Sequence, residues 1–259
     1  MSERKEENVQ MPEIEESTNS SAIDYVAAIK RPFKDTKKLA IGSILGAIPV
    51  VNFAVIGYTM ASTGLTEEKV GRDSLPEWGN YLDLFKKGII AILIGITLSL
   101  PAGLVLLGTA GSVIFNPALE VILGTLPVDS LNDLSTIQIP DAQMEHWLTQ
   151  NWTEFIPLLT NAAPLFILAV VLALVALYLV PIALMGWLKE DSITAAFSWS
   201  NLKKSMTLDY CINWLIVGYL VGIVNTLFEW IPLIGMGAAM YIGAVFSYTV
   251  FSKIYERAA

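Results

Sequence analysis

Five stretches without a charged side chain constrain this chain more than anything else in it: Leu39–Ser62, Ile89–Phe115, Leu165–Leu188, Ile212–Phe228 and Leu233–Ser252. A helix needs about 20 apolar residues to cross ~30 Å of hydrocarbon. Helices satisfy their own backbone hydrogen bonds there, which open sheets cannot. Ile89–Phe115 and Leu165–Leu188 exceed the requirement, Leu233–Ser252 meets it, and Ile212–Phe228 is near its lower limit. Glu229-Trp230-Ile231-Pro232 reads as a turn at a membrane surface, because proline cannot continue the preceding helix and tryptophan suits the headgroup zone. Composition agrees: 54% of residues are hydrophobic and 15% charged, against roughly 45–50% and about 25% in soluble domains.

The first stretch is interrupted by Ile48-Pro49-Val50-Val51-Asn52. Lys and Arg near the membrane ends set orientation. Lys30, Arg31, Lys34, Lys37 and Lys38 precede this stretch, and Lys69, Arg72, Lys86 and Lys87 follow it. Lys189, Lys203 and Lys204 flank the third stretch, and Lys253 and Arg257 the last. Residues 116–163 hold no Lys or Arg, only Glu120, Asp129, Asp133, Asp141, Glu145 and Glu154, and are expected to form an outer loop. If every basic flank is cytoplasmic, Leu39–Ser62 enters and leaves on one side. The expectation is a re-entrant hairpin turning at Pro49–Asn52, with legs of ~15 Å and its turn near mid-membrane. A single proline-kinked span with one basic flank outside is the alternative.

The expected fold is thus an all-α polytopic membrane protein. It has about four full transmembrane helices, a Pro-broken N-terminal hairpin and interfacial amphipathic helices. Both termini are expected in the cytoplasm of a cell-membrane protein. Residues 1–24, with seven acids and two bases, read as a disordered acidic tail, and residues 25–259 as one membrane domain. Tail and outer loop account for the net charge of −8. The 14 bases and 11 acids elsewhere leave a basic remainder. Nucleic acid is not an expected partner, since the basic stripe that phosphates need is missing.

Ser74-Leu75-Pro76-Glu77 has the spacing of a helix capping box. Trp78, Tyr81, Leu82 and Phe85 then fall on one helical face, which predicts a helix lying in the interface and a candidate docking surface. Asp191–Met206 repeats this less cleanly, with Phe197, Trp199, Leu202 and Met206 apolar and Lys203-Lys204 basic. Asp141 is placed to cap a helix carrying Met144, Trp147 and Leu148 on one face. Gly42-x-x-x-Gly46 and Gly218-x-x-x-Gly222 have the spacing of close helix contacts. Ile231-Pro232-Leu233-Ile234-Gly235 echoes Ile48-Pro49-Val50-Val51-Asn52, as an internal repeat would.

The order Ile-Pro-x-x-Asn at 48–52, Gly57-Tyr58, Leu75-Pro76-Glu77-Trp78 and Gly88 resembles the domain-of-unknown-function 4013 family, membrane proteins found mainly in archaea. The stretch from Ala196-Phe197 to Tyr210, two helices and an Ile-Pro-x-x-Gly turn fit the same pattern. The resemblance covers roughly residues 25–256 and implies no catalytic or binding residues.

One histidine, His146, and one cysteine, Cys211, leave no expected metal site or cofactor. Ionisable groups at membrane depth mark ion and proton pathways, and the five stretches have none. Pro49, Asn52, Asn225 and Pro232 are the candidates for membrane turns or a pathway. Three functions are weighed: a non-catalytic protein that organises membrane or assembles with itself or other membrane proteins; a channel or transporter for an uncharged or weakly polar solute; and a lipid-acting enzyme or its accessory subunit. The first is expected.

Overall fold

The computed structural model describes residues 23–65, 74–111, 141–232 and 234–258, with backbone alone for 110, 141–159 and 161. Residues 1–22 of the acidic tail and residues 116–140 of the expected outer loop lie outside them. The described residues form helices and connecting turns. In chain order these are α1 (Tyr25–Lys30), α2 (Thr36–Gly46), α3 (Asn52–Ala61), α4 (Tyr81–Ala110), α5 (Asp141–Glu190), α6 (Ile193–Ala196), α7 (Trp199–Leu202), α8 (Leu208–Phe228) and α9 (Ile234–Arg257). Single 3-10 turns follow α1 at Arg31–Phe33 and α7 at Lys203–Met206.

Among the described residues, four helices have the length and composition to cross a membrane: Tyr81–Thr109, Ala162–Glu190, Leu208–Phe228 and Ile234–Arg257. They are not equivalent. Two thirds of the apolar window of α9 (67%) is buried within the protein, against 17% in each of the others. α9 is therefore the axis of the bundle, while α4, α5 and α8 turn most of their apolar surface outward. Exposed Leu104, Leu107, Ile167, Leu177, Leu215 and Leu227 follow from that arrangement, which hydrocarbon solvent favours and water does not.

Leu39–Ser62 is broken at the proline, as expected. α2 is N-capped by Asp35, whose carboxylate accepts from Lys38 N at 3.0 Å. It ends at Gly46, three residues before Pro49. Val50 then turns the chain with a positive φ of 71°, a conformation that clashes Cβ with backbone in a β-branched residue. α3 starts at Asn52 and runs back. The hairpin closes at its open end, where Arg31, before α2, donates through Nη2 to the carbonyl of Ser62, after α3, at 2.6 Å.

The depth of the tip differs from expectation. α2 begins at Thr36, ahead of the charge-free stretch, and runs antiparallel along α9 until Gly46 meets Gly237. Gly237 lies three residues into α9, so the tip sits beside the α8–α9 turn rather than halfway along the spans.

The helix expected from Asp141 is present, and it runs on without a break to Glu190 as one helix of 50 residues, about 75 Å at 1.5 Å per residue. Two further expectations are corrected. The capping-box helix does not start at Ser74. Residues 74–80 are non-helical, and α4 begins at Tyr81 after Asn80, whose φ is 42°. The 191–206 segment is not one amphipathic helix but α6, α7 and a 3-10 turn.

Candidate functional site

The hairpin is held by backbone-to-backbone contact at glycines. A Cβ at Gly57 would overlap the Leu84 carbonyl and lie 3.0 Å from Gly88 N. One at Gly88 would overlap the Phe53 carbonyl and lie 3.2 Å from Gly57 N. On the other side of the hairpin, a Cβ at Gly42 would run into the Tyr241 ring, and one at Gly46 would lie 3.1 Å from Gly237 O. Between helices in hydrocarbon, association rests on van der Waals contact, which small residues increase by admitting close backbones. The two sides of the hairpin thus dock on α4 and α9.

At the open end two buried cations form a clasp. Arg31 donates to Thr249 Oγ1 of α9 at 2.7 Å, to Ser62 O at 2.6 Å and to Ser74 O at 3.1 Å. One guanidinium thereby joins α9, the end of α3 and the segment leading to α4. Lys38 donates to Leu75 O at 2.8 Å and to Glu77 Oε1 at 2.6 Å. A buried cation is tolerated only when so paired, and each charged donor bond contributes about 1.5–3 kcal/mol. The Glu77 carboxylate is largely exposed, so its ion pair adds little beyond the Leu75 bond.

Aromatic rings fill the space between. Trp78 stacks on Tyr58 with centroids 3.9 Å apart and planes at 9°, and Tyr58 meets Tyr241 at 5.9 Å. Tyr58 Oη donates to Pro76 O at 2.8 Å, and Trp78 Nε1 reaches Lys38 O at 3.4 Å. Glu77 is therefore engaged by Lys38 and Trp78 by Tyr58, so neither builds the expected cap and helical face.

A second polar cluster surrounds the last turns of α9. Tyr255 Oη donates to Asn201 Oδ1 at 2.6 Å, and Asn201 Nδ2 donates to Glu190 Oε1 at 2.7 Å and Ala195 O at 3.1 Å. Lys204 Nζ sits 3.8 Å from the centre of the Tyr255 ring, and burial there pushes its ammonium below the usual lysine range. Tyr178 Oη donates to Ser205 O at 2.6 Å, and Tyr25 Oη to Asn213 Oδ1 at 2.5 Å.

The candidate residues separate. Gly42 and Gly46 pack as their spacing predicts, whereas Gly218 and Gly222 face open space on α8. Pro49 and Pro232 are exposed. Asn225 is exposed too and donates to its own helix at Val221 O, 3.0 Å. Asn52 differs: its Oδ1 is buried with no hydrogen-bond partner. Trp78 is turned inward and Phe85 lies 5.6 Å from Phe53, while Tyr81 and Leu82 are exposed, so the four share no single surface. Arg31 and Lys38 carry most of the clasp, yet the sequence marks them only as part of a basic flank. The Arg31-Pro32 dipeptide, with proline breaking the helix beside a cation, was the available signal.

The model of a protein family of unknown function, DUF4013, matches residues 41–234. The chain belongs to the DUF4013 family. The family region takes in Gly42, Gly46 and Gly57, the hairpin side of the glycine contacts, together with Tyr58, Trp78 and Gly88. It stops at the first residue of α9, so Gly237, Tyr241 and Thr249 lie beyond it, as do Arg31 and Lys38 before it. No curated protein and no solved structure matches the chain.

Proposed function

We propose that this DUF4013 protein is non-catalytic and organises membrane or assembles membrane complexes, with the clasped end of the hairpin and both chain ends in the cytoplasm of the cell membrane. One observation carries the reading: five of the buried polar side chains join separate segments. Arg31, Lys38, Asn201, Tyr58 and Tyr210 each bond to backbone or side chains of another segment. Groups committed in this way fix geometry rather than react, since a catalytic acid or base must stay within reach of a substrate proton. The open glycine face of α8 at Gly218 and Gly222 suits self-association or another membrane protein. Co-purification and particle size in detergent or nanodiscs test this. A lone monomer with no partner overturns it.

One observation favours a second reading, conduction of an uncharged or weakly polar solute. The orphan Oδ1 of Asn52 sits at the broken segment, and discontinuous helices line pathways in transporter folds. Solute flux in liposomes lost on Asn52→Leu supports it, and flux unchanged in that variant removes it.

A further inference from the structure

Two elements at the clasped end expose large apolar side chains beside lysines. In the turn formed by α7 and the 3-10 segment after it, Asn201 is 2% exposed and Ser205 1%, while Trp199 at 67% and Met206 at 65% face outward with Ser200 and Lys203. Spacings of four and three residues place Trp199, Lys203 and Met206 on one helical face. From α1 to α2, Arg31 is buried with Ala28 and Pro32, while Val26 and Phe33 are exposed beside exposed Lys30, Lys34 and Lys37. A water-facing helix keeps its large apolar residues on the inner face.

The two elements share one end of the bundle. Asn201 bonds Tyr255 near the end of α9, and Lys204 covers the same ring. Ala28 belongs to the buried cluster that includes Tyr255, and Tyr25 bonds Asn213 near the start of α8. Leu208, the exposed first residue of α8, marks where that span enters hydrocarbon. Trp199, Met206, Val26 and Phe33 therefore sit at the depth of lipid headgroups, with four lysines among them.

We propose that this face binds the anionic headgroups of a phospholipid surface, with Lys30, Lys34, Lys37 and Lys203 facing the phosphates and Val26, Phe33, Trp199 and Met206 inserted below them. Interfacial elements of this composition combine apolar burial with attraction to anionic lipid. A base near such a surface contributes roughly a fivefold preference at low salt, which falls as the Debye length shortens. The inference does not depend on whether the protein assembles with partners.

The test uses the full-length protein in nanodiscs of phosphatidylcholine doped with spin-labelled phosphatidylglycerol or spin-labelled phosphatidylcholine. The fraction of motionally restricted label gives the relative association. The expected result is a several-fold preference for phosphatidylglycerol at low salt. It falls towards one in 1 M salt and in the combined Lys30→Gln, Lys34→Gln, Lys37→Gln and Lys203→Gln variant. All four side chains are exposed, so the variant's helicity and particle size stay as in the wild type. Equal association of the two lipids by the wild type overturns the proposal, as does an undiminished preference in the folded variant. The salt series alone decides the matter if the variant does not fold. A preference unmoved by 1 M salt refutes the electrostatic contact.

Discussion

Gly57→Ala tests the contact on which the hairpin most depends. The added Cβ would lie 2.6 Å from the Leu84 carbonyl carbon and nearer still to its oxygen. That is about 0.8 Å inside the 3.4 Å at which ordinary contact begins, and the obstacle is backbone, which no rotamer change can move. α3 and α4 must separate, and the pairing of Gly88 with the Phe53 carbonyl is lost with them. Overpacking of a filled interface costs about 1–3 kcal/mol, and backbone on both sides places this case at the upper end, about 3 kcal/mol. At roughly 2–4 °C per kcal/mol for a domain of this size, the midpoint falls by roughly 6–12 °C. The matched control is Gly95→Ala, where no atom lies within 4 Å and better helix propensity adds up to about 1 kcal/mol. Thermal unfolding of both variants in one detergent, followed by circular dichroism and size exclusion, measures the difference. Equal midpoints for Gly57→Ala and Gly95→Ala would refute the close-packed α3–α4 contact.

Four other outcomes follow from the same geometry. Arg31→Gln leaves Ser62 O, Ser74 O and Thr249 without their cation and lowers stability by about 3 kcal/mol, at the charged-donor scale of 1.5–3 kcal/mol per bond, seen as a lower midpoint in the same scan. Val50→Gly relieves a left-handed β-branched residue and raises stability by about 1 kcal/mol; an unchanged or lower midpoint would contradict the turn geometry. Asp35 is held below the ordinary carboxylate range, first by the backbone N–H of Lys38. Its folded value is therefore below its unfolded one. Its contribution is complete above the unfolded value and is lost as pH falls through the folded value, so the acid side of the stability profile should flatten in Asp35→Asn. Lys37→Cys, at an exposed position beside the open end of the hairpin, combined with Cys211→Ser, should label from the cytoplasm in intact cells; labelling from outside alone rejects the assigned sidedness.

The helical class, the four spans and the break at Pro49 were legible because each rests on local chemistry: run length, absence of charge, and a residue that lacks an N–H. The hairpin's return was legible from charge, since basic residues flank both of its ends. The aromatic face was misread for a physical reason. Spacings at Trp78, Tyr81, Leu82 and Phe85 describe a face only if the chain is already helical at Ser74. A cap worth about 1 kcal/mol loses to a tryptophan buried on Tyr58 and to Glu77 held by Lys38. The two glycine pairs teach the same lesson. Their spacing is identical, but Gly42 and Gly46 have Tyr241 and Gly237 opposite them, supplied by a helix distant in sequence, and Gly218 and Gly222 face nothing.

The echo between the two Ile-Pro turns can now be separated from a repeat of fold. Both turns do end up side by side, because Gly46 meets Gly237 and α2 runs antiparallel to α9. Yet α2 and α3 have 11 and 10 residues, whereas α8 and α9 have 21 and 24. A duplicated hairpin would pair equivalent legs, matching α2 on α9 with α8 on α3. Instead α3 packs chiefly on α4, with Gly57 against Gly88. The shared element is turn chemistry: an isoleucine, a proline that ends a helix, and a small or amide residue that starts the next. What the two turns achieve differs, since one joins full spans and the other folds a half-length hairpin against the bundle axis. That hairpin shields α9 at its glycines and is closed at the other end by Arg31. Any motion of it must therefore break the guanidinium bonds and the glycine contacts together, which is why Arg31→Gln and Gly57→Ala should weaken one cooperative unit rather than two independent ones. Their double variant should accordingly lose measurably less than the sum of the single losses.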